Sequence, residues 1–591
     1  MQIACTALAL RAVFDLKEVH EEMKRLRFCC AALTLALGVL LFSAASAERV
    51  TDLWATGLSG SFTPLSTASG DAIDTVHWWK NENNGSYHLF LPGTADLTQA
   101  RLCFAGGETL TDESGAVIEN GGPLSALPLE QPVRLTCGKQ TFTLTVWQGS
   151  ADMPAMYLTT ASGSLDFIHK RKTNEETGKL LAKTADGETL YEGELTQLRG
   201  RGNATFQFYK KGYQIKLAES TSLYGMSKDH TWELLADYRD NSLLRNSLTL
   251  AMADAAGIPY VMDCLHVHLY INGEYMGVYL LTEKVEVDGG RVEIDELEEE
   301  TEALNDQPLE SYGRVGTRKY TKGTFKAKDI PSDPADLTGG YLLMLEYKQR
   351  YNSEPSGVVT RRGQAMVLKS PKYASEAQAR YVQSVVQSFE NAIFASDGVD
   401  SVTGKHYSEL ADMDSVVKKY ILEELVKNYD ANSSSQYMAL KRGDGKLYFC
   451  SPWDYDSAYG NYGASKTSGW LKPTGIAIGK NQGESYYWLP ALYKHEGFRT
   501  QVAEVFSSVY LPILRTVLGE SEASGEDLQS LTQYEKELTQ DAKLNFTRWP
   551  TFNIKARVAQ TGADYHENIE YLRDFLNRRI DFLCQEWGVT R

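Results

Sequence analysis

The chain has 591 residues, 42% of them hydrophobic and 23% charged, which gives it enough apolar sequence for a sizeable core and rules out an intrinsically disordered chain. Acidic residues outnumber basic ones 77 to 60, for a formal charge of −17; this excludes general nucleic-acid binding, whose affinity comes from neutralising phosphates. Eight cysteines and ten histidines, with no Cys-x-x-Cys pair and no Cys/His cluster at zinc spacing, exclude a disulfide scaffold and argue against a zinc hydrolase.

In chain order, the first element is the apolar run Phe28–Phe42, preceded by Lys24, Arg25 and Arg27 and followed by Ser43-Ala-Ala-Ser-Ala47. A basic region, a short apolar region and a small-residue cleavage site read as a secretory signal. A spanning helix would need about 20 apolar residues. Residues 1–47 are therefore expected to be a signal peptide, with Met23 as the true start. The mature chain 48–591 is expected to be acidic, without a membrane span, and secreted, either extracellular or at the cell envelope. Three cysteines leave with the leader. Of the five that stay, Cys103 and Cys137 lie in strand-like runs and either bridge or remain buried thiols.

Residues 48–152 alternate apolar and polar side chains in short runs separated by turn residues, as in Tyr87-His-Leu-Phe-Leu91 and Thr141-Phe-Thr-Leu-Thr-Val146. This predicts a small all-β, Ig-like sandwich. It has no convergent polar cluster, so spacing, adhesion or anchoring is expected of it, and Trp78 and Trp79 would serve adhesion if they lie on a surface. From about 155 to 290 strands continue, and Asn272-Gly273 between two apolar runs predicts a hairpin. Residues 293–336 are acidic and irregular and read as a surface insertion. Helical periodicity follows in Ser375–Ser396, Met413–Tyr429, near Phe498–Leu518 and in Tyr565–Glu586. The predicted class is α+β. Residues 153–591 form a two-lobed unit, β-rich to about 350 and helical over about 370–591, with an active site expected between the lobes.

Two clusters have chemical potential. Arg199-Gly-Arg-Gly-Asn-Ala-Thr205 is a glycine turn with two guanidiniums, suited to an anion and followed by Lys210, Lys211 and the strand Tyr213-Gln-Ile-Lys-Leu217; the same pattern also makes an ordinary hairpin. Asn428-Tyr-Asp430 closes a helix, and Pro452-Trp-Asp-Tyr-Asp456 follows a strand. Paired carboxylates with nucleotide phosphates are what Mg2+ prefers, although acidic turn residues also cap loops. A Ca2+ loop of EF-hand type would need further ligands that Ser457 onward does not supply. The order of parts (glycine loop, strand lysine, aspartate after a helix, strand, Asp-x-Asp) is the one phosphoryl transfer uses.

These blocks, with Trp232-Glu-Leu-Leu235, Ser242-Leu-Leu-Arg-Asn246, Gly257-Ile-Pro259, Asn272-Gly-Glu-Tyr-Met-Gly-Val-Tyr279, Glu283-Lys284 and Thr338-Gly-Gly-Tyr-Leu-Leu343, resemble the spore-coat CotH family of atypical secreted protein kinases over about 155–591. The resemblance implies a kinase-like fold and transfer of the ATP γ-phosphoryl group to Ser or Thr of secreted or cell-surface proteins, with Mg2+ or Mn2+. It implies that Lys216 holds the α/β-phosphates and that Arg201, Gly202 and Asn203 form the phosphate-facing loop. It further implies that Asp430 orients the acceptor hydroxyl, that Asp454 binds the metal and that Asp456 supports that metal or its water. Glu283 is the expected partner of Lys216. An asparagine is expected about five residues after the catalytic aspartate; Ser435 or Gln436 stands there, with Gln436 as the replacement metal ligand and Asn432 displaced. Arg245 and Asn246 are read as structural. The alternative to a kinase is a non-catalytic surface adhesion or scaffold protein on the same fold.

Overall fold

The computed structural model describes residues 48–58, 72–107, 109–461, 469–481, 483–521, 528–552 and 562–591. The expected signal peptide and Met23 lie outside these residues. The chain divides into two compact units, one ending at Gln148 and the other running from Gly149 to Arg591, with Pro92–Thr94 belonging to the second.

The first unit is built of strands β1 (Glu48–Thr56), β2 (Val76–His77), β3 (Trp79–Lys80), β4 (Tyr87–Leu91), β5 (Arg101–Gly107), β6 (Leu110–Thr111), β7 (Val117–Ile118), β8 (Gly122–Pro123), β9 (Pro132–Cys137) and β10 (Gln140–Gln148). They form two sheets, β2-β1-β5-β8 and β3-β4-β10-β9-β6-β7. Cys103 and Cys137 stand in different sheets and are free thiols, so the bridging alternative fails. Trp78 and Trp79 are not an exposed patch. Trp78 stacks on Tyr87 at 4.0 Å between centroids and meets Phe142 edge-on, while Trp79 lies against His88 and Phe90.

The second unit begins with β11 (Ala155–Thr160), β12 (Glu175–Lys183), β13 (Thr189–Arg201), β14 (Gly212–Thr221), β15 (Asp229–Leu235), β16 (Cys264–Ile271) and β17 (Glu274–Glu283). These close a barrel in the order β11-β12-β13-β14-β15-β17-β16, shut by the parallel pairing of β11 with β16. Alternation sets the two faces: Tyr213, Ile215 and Leu217 fill the interior beside Trp232 and Leu234, which turns Gln214 and Lys216 outward. The Asn272-Gly273 hairpin forms as expected, with positive φ at both residues (51° and 78°) as a two-residue I′-type turn requires.

A seven-stranded sheet follows. Its strands are β18 (Arg314–Gly316), β19 (Thr324–Lys328), β20 (Tyr341–Leu345), β21 (Gly357–Val359), β22 (Ala365–Ser370), β23 (Tyr437–Leu440) and β24 (Leu447–Cys450), in the order β18-β19-β21-β22-β20-β23-β24. Both faces are covered by apolar packing. Two sequence expectations are corrected here. The acidic stretch 293–336 is not an irregular insertion but contributes the helix Leu297–Ala303 and two sheet strands; Leu297 and Thr301 turn inward, hidden in sequence among the glutamates. The part read as helical, about 370–591, also supplies β23, while β24 is the strand expected before Pro452, and β21 and β22 fall between the two expected parts.

The helices Glu376–Phe394, Met413–Val426 and Tyr565–Trp587 fall where the periodicity puts them. The first is fixed by a capping box in which Ser375 and Gln378 exchange hydrogen bonds. Near 498–518 two helices are joined by a π turn, Phe506–Tyr510. The helix Leu531–Arg548 is an addition, and it latches onto the barrel. Asp541 accepts from Ser150 N at 2.8 Å, from Ser150 Oγ at 2.6 Å, and pairs with His268 Nε2 at 2.8 Å, both side chains fully buried. Asn545 Oδ1 accepts from Lys210 Nζ at 2.9 Å.

Burial alone would raise the Asp541 carboxyl, but His268 and the Ser150 hydrogen bonds outweigh it and hold it below the ordinary range. A depressed carboxylate adds stability that is present above the unfolded value near 4 and fades as pH falls through the folded one. Asp541→Ala should therefore cost about 3–5 kcal/mol at pH 7. In urea titrations at pH 7 and pH 3 the gap from wild type should narrow at the lower pH.

Candidate active site

Strand register assembles the site. Tyr437 pairs with Cys450 and Met344 with Tyr437, so the end of β20, the start of β23 and the end of β24 share one end of the sheet. Three segments, 346–350, 430–436 and 451–456, leave from there side by side. Asp430 stands in the turn between the helix Met413–Val426, which ends on left-handed Lys427, and β23.

The 451–456 segment is pinned from behind. Tyr455 N donates to Asn246 Oδ1 at 2.8 Å, and Asn246 Nδ2 donates to Asp237 at 2.8 Å. The Tyr455 hydroxyl donates to Glu423 at 2.7 Å, which also pairs with buried Lys419 at 3.1 Å. Arg245 pairs with buried Asp240. The structural reading of Arg245 thus holds, while Asn246 directly sets the loop bearing the two aspartates. Asp454 itself has φ of 70°, a left-handed backbone uncommon outside glycine and found where surrounding structure enforces it.

Asp430, Asp454 and Asp456 lie within electrostatic reach of one another. Loss of bulk water, then repulsion from Asp456 and Asp430, raises the Asp454 carboxyl well above the carboxylate range, against Arg201 and Arg350. Water nevertheless reaches the Asp454 side chain; a concave site reconciles the two, with solvent on one side and protein around the rest. Asp430 is raised by burial and by Asp456, against a hydrogen bond from Tyr347 and the charges of Arg350 and Arg239. Ser435 Oγ donates to Asp454 Oδ2 at 3.4 Å.

Cations close the other side. The Arg201 guanidinium lies 5.6 Å from the centre of the Trp453 ring and 2.7 Å from Glu233, as a charge contact rather than an aligned hydrogen bond. Asn203 Oδ1 accepts from Lys172 Nζ at 2.8 Å. The Lys172 ammonium is lowered by burial and then by Arg199, Arg350 and Arg201, which marks a convergence of four positive groups. Gly202 has φ of 88°, and a Cβ there would strike Thr205 Oγ1 at 1.9 Å, so only glycine fits.

Two expected residues stand apart. Lys216 pairs in register with Thr231 and Gln214 with Glu233, putting Lys216 on the barrel's outer face, exposed. Glu283 pairs with Trp232, whose face is the interior, and its carboxylate accepts from Ser227 N and Oγ and from Asp263 N. The expected Lys216–Glu283 pair is therefore not formed: the two sit on opposite faces of the barrel wall, and Glu283 is held by backbone and serine donors. Glu233 is a buried acid on the Lys216 face.

The donor set suits a divalent cation. Asp456 raises both Asp454 and Asp430, and in the segment that follows Asp430, Gln436 Nε2 and both amide atoms of Asn432 are buried without hydrogen-bond partners. The three carboxylates are not closed into a cage. Among the described residues, the one trio of His, Cys, Asp or Glu with ligand atoms within 4.8 Å of one another is Glu535, His566 and Glu570, on other elements.

A family model described as "CotH kinase protein" matches residues 198–583, more than half of the chain. The chain belongs to the CotH kinase family. No curated protein matches it. The resemblance carried by the sequence blocks holds, and within this CotH kinase domain it embraces Arg201, Lys216, Glu283, Asp430, Gln436, Asp454 and Asp456. Residues that sequence reasoning passed over are Lys172, Glu233, Tyr347 and Arg350. Glu233 lay inside the quoted Trp232-Glu-Leu-Leu235 block, while Tyr347 and Arg350 follow Thr338-Gly-Gly-Tyr-Leu-Leu343 without a local signal.

Asn246→Ala should leave the buried Tyr455 N–H unpaired, at a cost of about 1–3 kcal/mol. Chemical denaturation should read that loss, and amide exchange at 453–456 should quicken.

Proposed function

We propose that this CotH kinase family member is an ATP-dependent protein kinase that transfers the γ-phosphoryl group to Ser or Thr of secreted or cell-surface proteins. The observation that carries the reading is the register that puts the segments of Asp430, Asp454 and Asp456 at one sheet end, within the electrostatic reach of Arg201 and Arg350. On this reading Asp430 accepts the acceptor's proton and orients its hydroxyl. Asp454, Asp456 and Gln436 would hold Mg2+ or Mn2+, which when bound neutralises phosphate charge. Arg201, Gly202 and Asn203 face the phosphates, with Lys172 reinforcing the loop. Lys216 reaches ATP only from the barrel's outer face, without the support of Glu283.

The apolar run Phe28–Phe42 supports export; among the described residues no helix is long and apolar enough to cross a membrane. We read the two sheets of the first unit as an Ig-like sandwich, and the barrel and helical parts of the second as the two lobes. The ring contacts of Trp78 and Trp79 weaken one of the three features that favoured adhesion, the others being the extra β domain and the altered asparagine position.

The test is phosphate transfer from labelled ATP to casein with Mg2+ or Mn2+. Wild type should label the acceptor. Asp454→Ala and Asp430→Asn should each fall by at least about a hundredfold, roughly 2.7 kcal/mol of barrier; near-wild-type transfer by either variant contradicts the roles given.

A further inference from the structure

Tyr347 follows β20 and points its hydroxyl into the site, where it donates to Asp430 Oδ1. Ser433 Oγ donates in turn to the Tyr347 oxygen at 3.1 Å, so the single phenolic hydrogen is committed to Asp430. The Arg350 guanidinium stands 5.5 Å from the centre of the Tyr347 ring. A hydroxyl donating to the carboxylate read as the base, beside a guanidinium able to receive a phosphate, is the arrangement demanded of a phosphoryl acceptor. Ser433 gives its own hydrogen to Tyr347 or, at 3.5 Å, to the Asp430 main-chain oxygen, and makes no hydrogen bond to the Asp430 carboxylate.

We propose that Tyr347 is an internal phosphoryl acceptor, modified in cis by its own site. This rests on the reading of Asp430 as the base and of a nucleoside triphosphate as donor. In the step, the phenolic oxygen forms a bond to the γ-phosphorus and the bond from that phosphorus to the β,γ-bridging oxygen breaks. The nucleoside diphosphate leaves with the electron pair, and the phenolic proton passes to Asp430. Burial and the charge of Asp430 hold the phenol above its ordinary pKa, so the transfer needs a base in contact, which Asp430 supplies.

The product would change the site. A phosphate on Tyr347 loses the hydroxyl that donated to Asp430 and meets the charges of Asp430 and Asp456, while Arg350 attracts it. The side chain would leave Asp430 for Arg350, freeing the carboxylate for an external hydroxyl.

The full chain, incubated with ATP and Mg2+ or Mn2+ over a hundredfold range of protein concentration, should carry phosphate on Tyr347 by peptide mass spectrometry. The rate constant should not vary with concentration, and the mark should vanish in Tyr347→Phe and Asp430→Asn. Phosphate on casein or on other residues with none on Tyr347 overturns this proposal and leaves the kinase reading standing. A rate that rises in proportion to concentration overturns the cis step. No phosphate on the chain or on casein overturns both.

Discussion

The register at one end of the seven-stranded sheet is the constraint on which the rest depends. Because β20, β23 and β24 are antiparallel neighbours, pairing of Met344 with Tyr437 and of Tyr437 with Cys450 gathers three chain segments at one place. A slip by one residue would invert every side chain along a strand, moving Leu343, Met438 and Phe449 out of the helix-covered face. The apolar core therefore fixes the register, and the register fixes where Asp430 and Asp454 stand.

Three carboxylates held together repel one another, so folding works against ionising them all. The structure offsets this with Arg201 and Arg350 and with a buried support of Asn246, Tyr455, Glu423 and Lys419 behind the loop. Left-handed backbone at Ser435, Ser451 and Asp454 clusters in the same segments. Such backbone persists where surrounding contacts enforce it, and a site that receives positive charge from outside accounts for why it is kept.

Much of this was legible in the sequence. The Asn272-Gly273 hairpin and the long amphipathic helices follow from local signals, and the ordered motifs singled out Asp430, Asp454 and the Arg201 loop. What escaped was non-local. Closure of the barrel depends on the parallel pairing of β11 with β16, more than a hundred residues apart, and nothing in either strand announces it. The Lys216–Glu283 expectation failed because an odd separation across the β15 register puts the two side chains on opposite faces. Tyr347 was invisible because its partner lies 83 positions away.

The central claim is that Asp430, Asp454 and Asp456 with Arg201 form a single metal and nucleotide site. Anomalous diffraction from crystals soaked with Mn2+ and a non-hydrolysable ATP analogue tests it most directly. The account predicts a manganese peak bound by Asp454 and Asp456, with phosphate density reaching toward Arg201 and Gly202. Manganese only at Glu535, His566 and Glu570, or phosphates away from the Arg201 loop, would contradict it.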